Sequence, residues 1–274
     1  MQVLYAMSRD KKLSYEAAMT RYRNGIQKSF ELYLFCLLSF IKITEYSKKD
    51  AEKKLSKLRP TEEDKAFTPK LFENPLIQAV VNNSNLQGLF KRHKIEERIS
   101  DDNIRSLYIE FAKSDAYKEY LKSKDNSANT HRQLLLNLYK FCQQSELFVE
   151  TLEDNFLSYV DDKSLVIGSM KKTIKAWPTS SDFHEEYRPT EETTKDFGEI
   201  LLHKVNTQDK ELLDMIEPTL KNWDADRVAI IDMILLKMAL SNPSENEFLD
   251  LIKTMCKSLI MKDFMFQLAG WILV

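Results

Sequence analysis

Apolar residues recur at helical spacing along most of this chain. Phe197, Leu201 and Val205 repeat every four residues. Leu212, Ile216, Leu220 and Trp223 follow in the same register, and Val228, Ile231, Leu235 and Met238 do so again. This pattern predicts buried helices, with Phe197, Leu201, Ile216, Leu220, Trp223, Ile231 and Leu235 in their core. Asp224 stands where an N-cap is expected before the last run. Further upstream the period predicts a helix from Met1 to about Ser8 and a long one from about Tyr15 to Leu58, ending before Pro60. Shorter helices are expected near 76–92, 101–123, 130–146, 147–158 and 161–176. Residues 60–75 read as a linker. Trp177 to Asp196, with two prolines and dense polar residues, reads as a polar loop whose following helix is capped by Thr194 or Asp196.

The expected fold class is therefore all-α. Only five glycines and seven prolines punctuate 274 residues, too few for a β-rich fold. With 43 % hydrophobic and 30 % charged residues, the chain is expected to fold and to be soluble. The longest apolar run, Phe30 to Ile43, is shorter than the roughly 20 residues a spanning helix needs, and Glu31 and Lys42 lie inside it. It is expected to be a core helix, and neither a signal peptide nor a membrane span is expected. The final stretch, FMFQLAGWILV, reads as a buried last helix or a sticky end. Cys36, Cys142 and Cys256 each fall in an apolar helical run, as reduced core residues do.

Charge changes the picture only in its distribution. Residues 1–60 carry 13 Lys/Arg against 6 Asp/Glu, so their net charge of +7 sits on a body that brings the whole chain to −2. A basic segment of this kind suits a polyanion, although Lys48, Lys49, Lys53, Lys54 and Lys57 alternate with Asp50 and Glu52 as on an ordinary solvated helix face. The chemistry inventory is thin. His93, His131, His184 and His203 show no ligand spacing, and there is no HExxH, CxxC or glycine-rich phosphate loop. His184-Glu185-Glu186 is the one local candidate for a metal, and it reads more simply as polar loop. No nucleophile with a base can be named. The expectation is a non-catalytic protein that needs neither cofactor nor metal.

From Phe197 to Leu240 the residue types follow an order: F…L…V, then hydrophobic-I-x-P-x-L-x-N-W, then D-R-x-x-I-x-D-x-x-L-L-K-x-A. At the other end the chain opens MQVLYA, with a glutamine, a leucine and a tyrosine in sequence. Both stretches resemble the NusB family of RNA-binding transcription antitermination factors, in its long, insertion-bearing form. The resemblance implies an all-α, NusB-like helical bundle carrying a large helical insertion. Residues 1–59 would supply its N-terminal helices, 60–176 the insertion, 177–196 a polar linker and 197–274 the C-terminal bundle.

The resemblance also implies a cytoplasmic protein with three partners: a single-stranded, boxA-like leader RNA of ribosomal RNA operons, a small-subunit ribosomal protein (NusE) and the RNA polymerase antitermination complex. The family's arginine-rich segment before the first helix has no counterpart after Met1, which leaves Arg9, Lys11 and Lys12 as the nearby cations for phosphates. Tyr5 occupies the family's tyrosine position, to stack on an unpaired base or to pack under the next helix. Phe264 stands nearest the family's RNA-contacting phenylalanine, in a stretch where Lys262-Asp263-Phe264 departs from the K-F-V-N-G order.

For the ribosomal protein, Asp232 and Lys237 match an acidic and a basic position of the partner-binding helix. Five residues apart, they project about 140° from each other. A carboxylate in the run Ile230 to Leu236 must pair, with Arg227 or a lysine across the bundle, or face an interface. Two other readings stay open. One is a protein-interaction scaffold without RNA binding, and the other an accessory domain of an RNA-modifying enzyme.

Overall fold

A computed structural model describes residues 1–178, 182–220 and 224–241, and among them every regular element is helical. In chain order these are α1 (Gln2–Arg9), α2 (Tyr15–Leu55), α3 (Glu62–Ala66), α4 (Lys70–Glu73), α5 (Pro75–Val81), α6 (Ser84–Arg92), α7 (Asp101–Ala112), α8 (Asp115–Lys122), α9 (Ala128–Gln144), α10 (Glu146–Asn155) and α11 (Tyr159–Ala176). A π-helix, Glu192–Glu199, then leads into α12 (Ile200–Thr207), α13 (Asp209–Ile216) and α14 (Ile230–Leu240). No helix among the described residues is long and apolar enough to cross a membrane.

Two compact units result, Gln27–Arg188 and Met1–Ile26 with the described part of Pro189–Val274. The boundary falls inside α2, at Ile26 rather than at residue 59. The reason is the apolar run Phe30–Ile43, which shares one core with α7, α9 and α11. Leu32 through Leu38 are buried without interruption, so this part of α2 is apolar all round, as a central helix must be. Phe35 meets Phe156 at 5.5 Å between ring centroids, and Phe40 meets Tyr139 at 6.2 Å and Trp177 at 6.3 Å. Cys36 and Cys142 are free thiols in this core, and burial pushes both pKa values up. Cys256 lies outside the described residues.

Short polar side chains set the punctuation. Asn74, Asn83, Ser100, Ser114 and Ser127 each accept from a backbone N–H at the start of α5, α6, α7, α8 and α9. These caps split two stretches that periodicity alone runs together, 76–92 and 101–123. They also show why 60–75 is no linker: it holds α3 and α4. The expected loop after Trp177 is likewise structured in part. Trp177 itself is fully buried, and a 3-10 turn covers Phe183–Tyr187. His184 is buried edge-on to Phe183, with its Nε2 3.4 Å from Glu185, a packed position rather than an open one.

The lysines that end α2 work inside the fold. Lys48 lies 3.9 Å over the Phe72 ring and Lys54 3.4 Å over Phe67, while Lys53 donates to the Tyr46 hydroxyl at 2.9 Å. Lys57 reaches Asp64 at 2.7 Å. Asp64 closes a capping box with Thr61 at the start of α3. The hydrogen bond from Lys57 and that from the Thr61 backbone N–H hold the Asp64 carboxyl down at about 2. A carboxyl depressed on folding stabilises above its ordinary range and loses that contribution as pH falls through the folded value. Asp64→Asn is expected to lower stability at neutral pH and to flatten the decline between about pH 4 and about pH 2. Denaturant titrations of both chains across that window read the difference.

Candidate nucleic-acid and partner interface

The residues matched to RNA and partner roles sit in the unit that contains both chain ends. In α1, Leu4 is buried while Val3 and Met7 pack beside it against Leu201, Leu202, Ile234 and Met238. Tyr5 faces away from that seam and stays 41 % exposed, so it does not pack under the next helix. Arg9 follows four residues later, on the same face of α1. The chain then turns tightly: Leu13 N–H donates to the Asp10 carbonyl at 3.0 Å and Lys12 N–H to the Asp10 carboxylate at 2.9 Å. The Ser14 hydroxyl accepts from Ala17 N–H at 3.2 Å and starts α2. Arg9, Lys11 and Lys12 are exposed and form no ion pair among the described residues. The turn thus carries Lys11 and Lys12 directly after the helix that bears Tyr5 and Arg9, with Asp10 turned back onto its own backbone. Phe264 lies outside the described residues, as do Trp223 and everything after Ser241.

Arg23 is differently placed. Its guanidinium grips Glu199 at 2.7 and 2.8 Å in a bidentate pair. Those hydrogen bonds hold the Glu199 carboxyl below its usual range. One turn along α12, the His203 ring meets Tyr15 edge-on at 5.7 Å, with Nδ1 3.2 Å from the Tyr15 hydroxyl. The Tyr22 hydroxyl donates to the Thr194 carbonyl at 3.2 Å, within the π-helix. Gly198 faces the same ring: a Cβ there would lie 2.6 Å from Tyr22 Cζ and nearer still to its hydroxyl oxygen. These pairings join residues more than 170 positions apart, and no local spacing announces them.

The π-helix also corrects two expectations. Its wider turn takes Phe197 out of the i, i+4 stripe shared with Leu201 and Val205, so Phe197 is exposed while the other two are buried. Its start is capped by the Thr190 hydroxyl, which accepts from Thr193 N–H at 3.1 Å, not by Thr194 or Asp196.

In α14 the buried residues are Ile234, Leu235, Leu236, Met238 and Ala239, and Ile216 packs with Leu236 and Ala239. The helix begins at Ile230 rather than after Asp224, which precedes a separate 3-10 turn, Ala225–Arg227. Ile231 consequently lies in the first turn and is exposed beside Ile230, not in the core. Asp232 is half-buried next to them and makes no hydrogen bond or ion pair among the described residues. Arg227 is turned to Asp224, 3.7 Å away. Lys237 is mostly buried and donates to Asp209 of α13 at 2.5 Å. Its charge is satisfied within the bundle, which leaves Asp232 as the open member of the two.

Among the described residues no group of three or more His, Cys, Asp or Glu is arranged to hold a metal. Compared with protein family models, curated proteins and solved structures, the chain matches none of them.

Proposed function

We propose that this chain is a non-catalytic, RNA-binding transcription antitermination factor of the NusB kind. It binds a single-stranded, boxA-like leader RNA of ribosomal RNA operons together with a small-subunit ribosomal protein, as part of the RNA polymerase antitermination complex. The observation that carries this reading is the exposed Tyr5 ring, one turn before Arg9 on α1, followed in the next turn by Lys11 and Lys12, with none of the three cations in an ion pair among the described residues. An aromatic stacks on an unpaired base while cations hold the flanking phosphates. Asp232, half-buried after the exposed Ile230 and Ile231 and without an ion pair or hydrogen bond among the described residues, supports the ribosomal-protein contact. Leaving such a carboxylate unpaired is costly, and a cation from the partner removes the cost.

The test is a titration of the purified chain with the ribosomal protein, alone and then with leader RNA. Asp232→Lys is expected to weaken the association about tenfold or more, with helicity unchanged. A chain that binds the ribosomal protein but not the RNA would be the scaffold alone. Failure of the unmodified chain to bind the ribosomal protein would defeat both readings of this surface.

A further inference from the structure

Helices α9 and α11, in the Gln27–Arg188 unit, carry an outer surface without acids. Asp and Glu make up 42 of the 274 residues. Yet α9 has none along its 17 residues, and α11 has none after Asp162. After its first residue, the exposed positions of α9 are amides and one cation: Asn129, Gln133, Asn137, Lys140 and Gln144. At roughly 100° per residue they fall within about 80° of arc, a single stripe. On α11, Lys171, Lys172 and Lys175 are exposed and span about 100° of arc. None of these side chains forms an ion pair or hydrogen bond among the described residues. Both helices bury the opposite arc in one core, Leu135, Leu138 and Tyr139 from α9, Val166, Met170 and Ile174 from α11. The two pack directly on each other, and Arg132 of α9 donates to the Trp177 carbonyl just past α11 at 2.7 Å. That bond sets the Lys171–Lys175 turn beside the Gln133 end of α9, so the two stripes lie side by side.

An ordinary solvated helix face mixes both signs, and the carbonyl end of α11 accounts only for a cation in its last turn, Lys175. Lys140, Lys171, Lys172 and the amide stripe call for another reason. The geometry points to a binding face for double-stranded RNA. The lysines hold phosphates, and the amides, which both donate and accept, pair with 2′-hydroxyls across the wide, shallow minor groove. Neither stripe holds an aromatic ring, the platform on which single-stranded bases stack, and a DNA duplex offers no 2′-hydroxyl. Acids at the border are tied down: Asp125 accepts from Ser127 and Thr130, and Glu185 pairs with Arg188. This face is separate from the Tyr5 surface and does not depend on the function proposed for that surface.

The probe is a fluorescein-labelled RNA duplex of about 20 base pairs, titrated by anisotropy against the full chain, with a DNA duplex of the same sequence alongside. The RNA duplex is expected to bind at least about tenfold more tightly than the DNA, with a slope of log affinity against log salt of about −3 to −4 from four lysines. Lys171→Glu/Lys172→Glu/Lys175→Glu is expected to weaken binding at least about tenfold and to bring the slope to about −1. Lys171→Gln/Lys172→Gln/Lys175→Gln, which adds no acid at the end of α11, is expected to lower the slope as much. Gln133→Ala/Asn137→Ala is expected to leave the slope unchanged and to bring RNA and DNA within about twofold of each other. All these side chains are exposed, so circular dichroism should be unchanged. A charge-matched control on α7 and α8, Arg105→Glu/Lys113→Glu/Lys122→Glu, is expected to stay within about twofold of the unmodified chain. Absence of duplex binding, equal loss in that control, no loss in the α11 variants, or equal binding of DNA by the unmodified chain overturns the proposal. So does loss of duplex binding on Arg9→Glu/Lys11→Glu/Lys12→Glu, because the duplex would then sit on the Tyr5 surface.

Discussion

Changing Arg9, Lys11 and Lys12 together to glutamate is expected to abolish binding of single-stranded leader RNA and to leave the fold intact. None of the three pairs with a carboxylate among the described residues, so their reversal breaks no ion pair there. On the proposed reading it replaces three phosphate contacts with three repulsions. Each contact to a single strand contributes about −0.7 to the slope of log affinity against log salt, so the unmodified chain should show a shallow slope of about −2. Anisotropy titrations at several salt concentrations measure both quantities. A steep slope that survives the triple substitution would place the RNA site elsewhere, most simply in the Gln27–Arg188 unit.

The largest stability effect is expected at Trp177. Its side chain is fully buried against Phe40 and, at 6.4 Å, Phe183, and its carbonyl accepts from Arg132 at 2.7 Å. Trp177→Ala keeps the carbonyl and leaves a cavity where three elements meet, α2, α9 and the 3-10 turn after α11. The cost should be about 3–5 kcal/mol, taken from the unfolding transition of the Gln27–Arg188 unit. Leu157→Ala, which removes an exposed side chain of similar hydrophobicity, should change the same transition by less than about 0.5 kcal/mol. Urea denaturation followed by circular dichroism compares them. Similar midpoints for the two variants would mean that Trp177 is not enclosed as described.

The helical class was legible because period and caps agree: the run from Tyr15, the asparagine and serine caps, and the scarcity of glycine all point one way. Where α2 changes allegiance was not legible. Phe30–Ile43 is apolar on every side, and such a run says that it is central without saying to which core. Trp177 was hidden by its polar neighbours, since burial there is decided by distant Phe40 and Arg132. Phe197 and Ile231 were assigned to the core by a 3.6-residue period that the π-turn and the late start of α14 do not obey. At the candidate site, Tyr5, Arg9, Lys11 and Lys12 could be named from their order in the chain. That Lys237 is held by Asp209, and that Asp232 is not held by Arg227, depends on side-chain directions that composition cannot carry.

The fit of Tyr22 against Gly198 makes the history of these two positions depend on sequence of events. While the tyrosine is present, any side chain at 198 collides with it. Once position 22 has become small, position 198 is free to accept a methyl group, and Tyr22 cannot then return without conflict. The two residues therefore form a ratchet: the route away from this pair is open in one order and closed in the other.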